Sequence, residues 1–170
     1  AMARAAAAAA QAPREFLASI GTDGIPHGSR IDKDGKPAGT FLDHLSGTED
    51  KLREWGCDEA VCLAGLFHSV YGTEGFQGYK LPLSHREEIA GLIGPEAERL
   101  AWIFCMVDRS SVDATVLSNT PGASFRSRPE LGAFEIALRS PGEWRDFLTL
   151  SLADWLEQVE GAASKAVGRP

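Results

Sequence analysis

Two histidines and an aspartate in this 170-residue chain are spaced in a way that suits metal chemistry: His44, then His68 after 24 positions, then Asp108 after a further 40. Each falls in a different predicted helix, so three helices could converge on one cation. Two neutral imidazoles and one carboxylate bind a divalent ion on one face and leave positions open for water, substrate or dioxygen, the mark of a catalytic site rather than a structural one. One ion, zinc, manganese or iron, is the cofactor to expect. Each residue also has an ordinary reading. A histidine on an apolar helix face is commonly a hydrogen-bonded core residue, and Asp108 can pair with Arg109 or cap a helix end. Cys57, Cys62 and Cys105 are odd in number and lack Cys-x-x-Cys spacing, which argues against a disulfide framework or a structural zinc knot and for a reducing cytoplasm.

The elements that must position these groups are helices. From Thr40 to Trp55, Phe41, Leu45, Leu52 and Trp55 share one helical face, and Gly56 supplies a left-handed stop. The run from Asp58 to Tyr71 is apolar nearly all round, as a helix surrounded by others must be. Ser84 with Glu87 predicts a capping box for a helix closing at Gly94, and Pro95 opens the next, which carries Leu100, Ala101, Phe104 and Asp108. Ser140, Pro141 and Glu143 start a final helix through Trp144, Phe147, Leu148, Trp155 and Val159. Residues 21–39 and 118–132 are rich in Gly, Pro and Ser and read as ordered loops or lids; AFEIALRS (133–140) suits a short helix or a stray strand.

One domain is expected: an all-α bundle of about six helices over residues 16–165, preceded by an alanine-rich flexible or appended arm over residues 1–15. The net charge of −7 and pI near 5.1 leave no basic surface for nucleic acid, and no run of 18 apolar residues could span a bilayer. The expected partner is a small-molecule substrate.

The order His27, Arg30, Gly35, Pro37, His44, then the helix DEAVCLAGLFHS, then Val107-Asp108-Arg109 resembles the hydrolase domain of the bacterial guanosine tetraphosphate hydrolases, a branch of the HD superfamily. The resemblance spans about half the chain and implies an HD-like helical bundle, metal ligation by His44, His68 and Asp108, and a substrate-facing Arg30. Departures matter. Ser69 stands where the superfamily has its aspartate, which favours a mononuclear site over a dinuclear one. Gly72 and Thr73 stand where the tetraphosphate hydrolases place the adjacent acids that activate water, so that particular reaction is expected to be lost. The wording His-Ser-x-Tyr-Gly-Thr is similar to a group of uncharacterised bacterial proteins.

Around such an ion, His27 reads as a fourth ligand, a general base or a water-exposed loop histidine. Ser69 can hydrogen-bond an ion-bound water or its own preceding turn. Glu74 is the acid nearest the missing pair and a candidate proton acceptor. Tyr71 and Thr73 are candidates to orient substrate, with core packing the alternative for Tyr71. Lys80, His85 and Arg86 could meet a phosphate at a helix start or simply be solvated. Trp55, Trp102, Trp144 and Trp155 read as core. The functional expectation is a metal-dependent enzyme on a small polar metabolite, leaning to hydrolysis of a phosphate ester or related bond. The alternatives are a mononuclear non-haem iron oxygenase and a degenerate HD domain that binds a nucleotide or protein partner without turnover.

Overall fold

The helix boundaries mostly fall where the sequence punctuates them. In the computed structural model, which describes residues 12–31, 34, 36–118 and 124–163, a first helix α1 runs over 12–19. The arm expected over 1–15 therefore lies outside the described residues up to residue 11, and its last part is helical. Thr40 opens α2 (Phe41–Glu54) with a full capping box: its hydroxyl accepts from the Asp43 N–H at 3.1 Å, and the Asp43 carboxylate accepts from the Thr40 N–H at 2.8 Å. Gly56, at φ +71°, provides the left-handed stop.

Helix α3 (Glu59–Phe67) is buried over most of its length and ends at Phe67 rather than Tyr71, which puts His68 at its C-cap. Gly94, at φ +90°, separates α4 (Arg86–Ile93) from α5 (Pro95–Met106). The capping box expected from Ser84 and Glu87 does not form; Leu83–His85 make a 3-10 turn and α4 starts without a side-chain cap. Asp108 caps α6 (Arg109–Leu117), and the Ser140 hydroxyl accepts from the Glu143 N–H at 3.1 Å near the start of α7 (Pro141–Ala163).

The fold is predominantly helical but not all-α. Part of the first expected loop is an antiparallel hairpin of β1 (Pro26–Ile31) and β2 (Pro37–Thr40), which pairs His27 with Gly39. In the second, β3 (Ser124–Arg126) pairs with β4 (Glu135–Ala137), so the AFEIALRS stretch resolves as strand. Proline and glycine mask these strands in a pattern search, because the pairing is set by what the segments lie against. Strand β1 packs along α7 and touches α2.

Helices α2, α3, α5 and α7 enclose the core, with Phe41, Leu45, Leu66, Phe67, Phe104 and Phe147 all buried. The α2–α3 approach depends on Gly65: a β-carbon there would come within 2.4 Å of Leu52 Cδ1. Two acids are buried with their partners. Glu98 takes both arms of Arg86 at 2.6 and 2.8 Å and the Tyr71 hydroxyl at 3.1 Å; Glu49 bridges Arg14 at 2.7 Å and Arg53 at 2.8 Å. Trp102 and Trp144 pack against the core, but Trp55 and Trp155 do not belong to it, being 41% and 57% exposed. Among the described residues no helix is long and apolar enough to cross a membrane.

Candidate metal centre

Helix α2 brings His44 inward one turn after its cap, and the end of α3 brings His68 to meet it. Their Nε2 atoms lie 3.1 Å apart. The third member comes from α7: Asp154 Oδ1 is 3.2 Å from each Nε2, so three donor atoms from three helices form a nearly equilateral triangle. His44, His68 and Asp154 thus form a group able to hold a metal ion.

Their outer partners set which atoms face inward. His68 Nδ1 lies 2.6 Å from the Gly65 carbonyl oxygen, which can only accept, so the proton belongs on Nδ1. His44 Nδ1 lies 2.5 Å from Glu157 Oε2 and donates to that carboxylate. Both Nε2 atoms are left as acceptors turned toward a carboxylate oxygen. Three acceptors this close repel one another unless a cation joins them, and the candidates are a proton or a metal ion. Burial works against a charged His44, yet hydrogen bonds and charge from Asp154 and Glu157 together outweigh it and raise its pKa to about 9. Asp154 is half-buried, which opposes its charge, but both histidines hold it far below the usual carboxylate range.

The cluster is not sealed. His44 and Asp154 form part of the wall of a cavity of ≈ 610 Å³, together with His27, Ser69, Thr73, Glu74, Arg109 and Gln158 and closed on one side by Phe76 and Phe104. Gln158 donates to Asp154 Oδ1 at 2.9 Å and steadies it. His27, on β1, stacks face to face on His44 with centroids 4.2 Å apart and planes 11° from parallel. Its ring thus lies over His44 and does not converge on the triangle. Burial and then the charge of His44 lower His27 to about 4, so it is neutral near pH 7.

The residues expected from sequence separate into two groups. His27, His44, Ser69, Thr73 and Glu74 share the cavity, and His68 completes the cluster. Thr73 also builds the turn after the cluster, its Oγ1 accepting from the Phe76 N–H at 3.1 Å. Asp108, expected as the third member, lies outside this group. Its Oδ1 accepts from the N–H and hydroxyl of Ser110 at 2.9 and 2.8 Å, its Oδ2 meets Arg126 at 3.1 Å, and it borders a separate cavity of ≈ 870 Å³. The Tyr71 hydroxyl donates to Glu98 in the core, and Tyr71 does not line the cavity. The side chain of Arg30 lies outside the described residues. Of the basic cluster, Arg86 binds Glu98 and His85 meets Glu88 at 2.9 Å.

Asp154 and Glu157 are the residues that sequence reading missed. The signal was present: they follow Phe147 and Leu150 by seven positions each, so two acids interrupt the buried stripe of α7. Gly47 on α2 leaves room for them, since a β-carbon there would sit 2.9 Å from Glu157 Cγ.

A protein-family model described as a domain of unknown function (DUF6817) matches residues 28–109. That span contains both histidines and stops short of Asp154 and Glu157. No curated protein and no solved structure matches the chain.

Proposed function

We propose that this chain is a metal-dependent enzyme that acts on a small polar metabolite, with one divalent ion held by His44, His68 and Asp154 on an HD-like helical scaffold. The observation that carries this reading is the triangle of inward-facing acceptors with edges of 3.1, 3.2 and 3.2 Å. Ligands about 2.1 Å from one zinc-sized ion stand about 3.0 Å apart in octahedral and about 3.4 Å apart in tetrahedral geometry, and the observed edges fall between these. A carboxylate behind one ligand histidine and a carbonyl behind the other are the outer partners that metal-bound imidazoles usually have. The donor set suits zinc, manganese or iron(II) and leaves one side of the ion to the cavity.

The reaction that fits best is hydrolysis of a phosphate ester or related bond. The ion would supply Lewis acidity and a hydrolytic water acidified toward neutrality. The chain's own residues do the rest. Glu74, exposed at the cavity, is the proton acceptor; Ser69 and Thr73 offer hydroxyls to substrate; and Phe76 and Phe104 limit the access of bulk water. His27 keeps the His44 ring in plane by stacking on it. A cavity of ≈ 610 Å³ is of the size that takes a metabolite and not a polymer.

The test is elemental analysis of protein purified without chelator, wild type beside His44→Ala and His68→Ala, followed by assay on a panel of phosphate esters with metal restored. About one ion per chain is expected in the wild type and less than about a tenth of that in either variant. A wild type that neither carries nor takes up a divalent ion would sink the reading. Iron with dioxygen-dependent turnover in place of ester cleavage would instead identify an oxygenase, because the same two-histidine, one-carboxylate set serves that chemistry.

A further inference from the structure

Arg109 stands apart from the chain's other arginines. Arg53, Arg86, Arg99 and Arg128 each hold a carboxylate at 2.6–2.8 Å, and every other arginine whose side chain is described has an acid within 4.0 Å. The Arg109 guanidinium makes no ion pair and donates no hydrogen bond among the described residues. It lies over Phe104, with Cζ 4.0 Å from the ring centroid, and it lines the cavity that His44 and Asp154 line. Phe104 in turn meets the His68 ring edge-on at 4.9 Å, so one aromatic ring touches both the guanidinium and a member of the donor cluster. Glu74, another acid of the cavity, accepts from the Arg109 backbone N–H at 2.9 Å and not from the side chain.

A cation taken partly out of water with no counter-ion is costly to the fold. Burial works against its charge, opposed at a distance by Asp154, Cys105, Glu74 and Asp113. The planar fork of a guanidinium is matched by two oxygens of one phosphate or one carboxylate, and its five N–H groups can bind such a group from the cavity side.

We propose that Arg109 anchors the substrate of this cavity by an anionic group, phosphate or carboxylate, placing the rest of the molecule against the His44–His68–Asp154 cluster. The proposal rests on the reading of that cluster as an ion site only for the chemistry that follows; the anion anchor itself is independent of the metal. Arg109 is a binding residue here, and the reacting atoms belong at the cluster.

Inorganic phosphate and acetate serve as probes, titrated calorimetrically into the full chain with and without its metal, for wild type, Arg109→Gln and Arg109→Lys. The wild type should bind at least one probe. Arg109→Gln should weaken it by at least about tenfold at unchanged metal content, with Arg109→Lys in between. Phosphate as the tighter probe identifies a phosphorylated substrate, and acetate a carboxylic acid. In the wild type alone, saturating phosphate or acetate should slow phenylglyoxal modification of Arg109, read by mass spectrometry, which covers the case of a variant that does not fold. Equal affinity in wild type and Arg109→Gln, or no protection and no binding of either probe, overturns the proposal. A metal-free wild type whose probe binding still depends on Arg109 supports the anchor while removing the ion site.

Discussion

His44 and Glu157 are 113 positions apart, yet Nδ1 of the one lies 2.5 Å from Oε2 of the other, behind the face that His44 turns to the cavity. A carboxylate in that place fixes the imidazole's tautomer and strengthens its far nitrogen as a donor to a cation. Replacing Glu157 with glutamine keeps the shape and removes the charge. Divalent-ion affinity, measured by competition with a chromophoric chelator, should fall about 10–100-fold while the protein stays folded. Unchanged affinity would mean that the contact is packing alone.

Asp154, and not Asp108, joins the two histidines in the group able to hold a metal ion. Asp154→Asn should abolish stoichiometric metal binding. Asp108→Ala should leave metal content intact and cost about 1 kcal/mol of stability through loss of the cap on α6. Elemental analysis and denaturant unfolding of the two variants decide it, and the reverse pattern would return Asp108 to the ligand set.

Gly47 makes room for Glu157. An alanine β-carbon there, 2.9 Å from Glu157 Cγ, must push that side chain off His44. Metal affinity of Gly47→Ala should drop about tenfold, and the double variant with Glu157→Gln should be little weaker than Glu157→Gln alone, because both act on one contact. Additive losses in that cycle would contradict the shared route.

The Tyr71 hydroxyl gives an alkaline signature. Burial first, then the charge of Glu98 and the hydrogen bond to it, push Tyr71 well above its ordinary 10. A folded-state pKa above the unfolded one means that this phenol's contribution is complete below about pH 10 and is lost as pH rises beyond that toward the folded value. Stability of Tyr71→Phe should therefore fall less steeply above pH 10 than that of the wild type, as followed by urea midpoints across that range. Parallel curves would show that Tyr71 does not carry the dependence.

Much of this architecture is legible in the residues themselves. Thr40 with Asp43, Gly56, and Gly94 with Pro95 mark helix ends through local chemistry, and His44 and His68 were identifiable as a pair from their types and their apolar helices. What lies beyond sequence logic is long-range. Asp154 and Glu157 interrupt the apolar stripe of α7, but what they meet is set only when α7 is laid on α2, and the apolar Trp155, which suggests a buried face, points largely to water. Asp108 followed by Arg109 and Ser110 reads as a ligand or as a cap, and only the fold distinguishes them. The β1–β2 hairpin is invisible in Pro- and Gly-rich sequence because α7 and α2, not strand propensity, hold it.

Of the three inward-facing atoms, two arrive in the first 68 residues and the third only with the last long helix. A nascent chain emerging through α6 has both imidazoles but not Asp154, whatever the order of folding. Competence to capture a cation is thus deferred until α7 docks, and a bound ion would clasp the C-terminal helix to the front of the molecule. Removing the ion should loosen that helix first, leaving the hairpin of α2 and α3 in place.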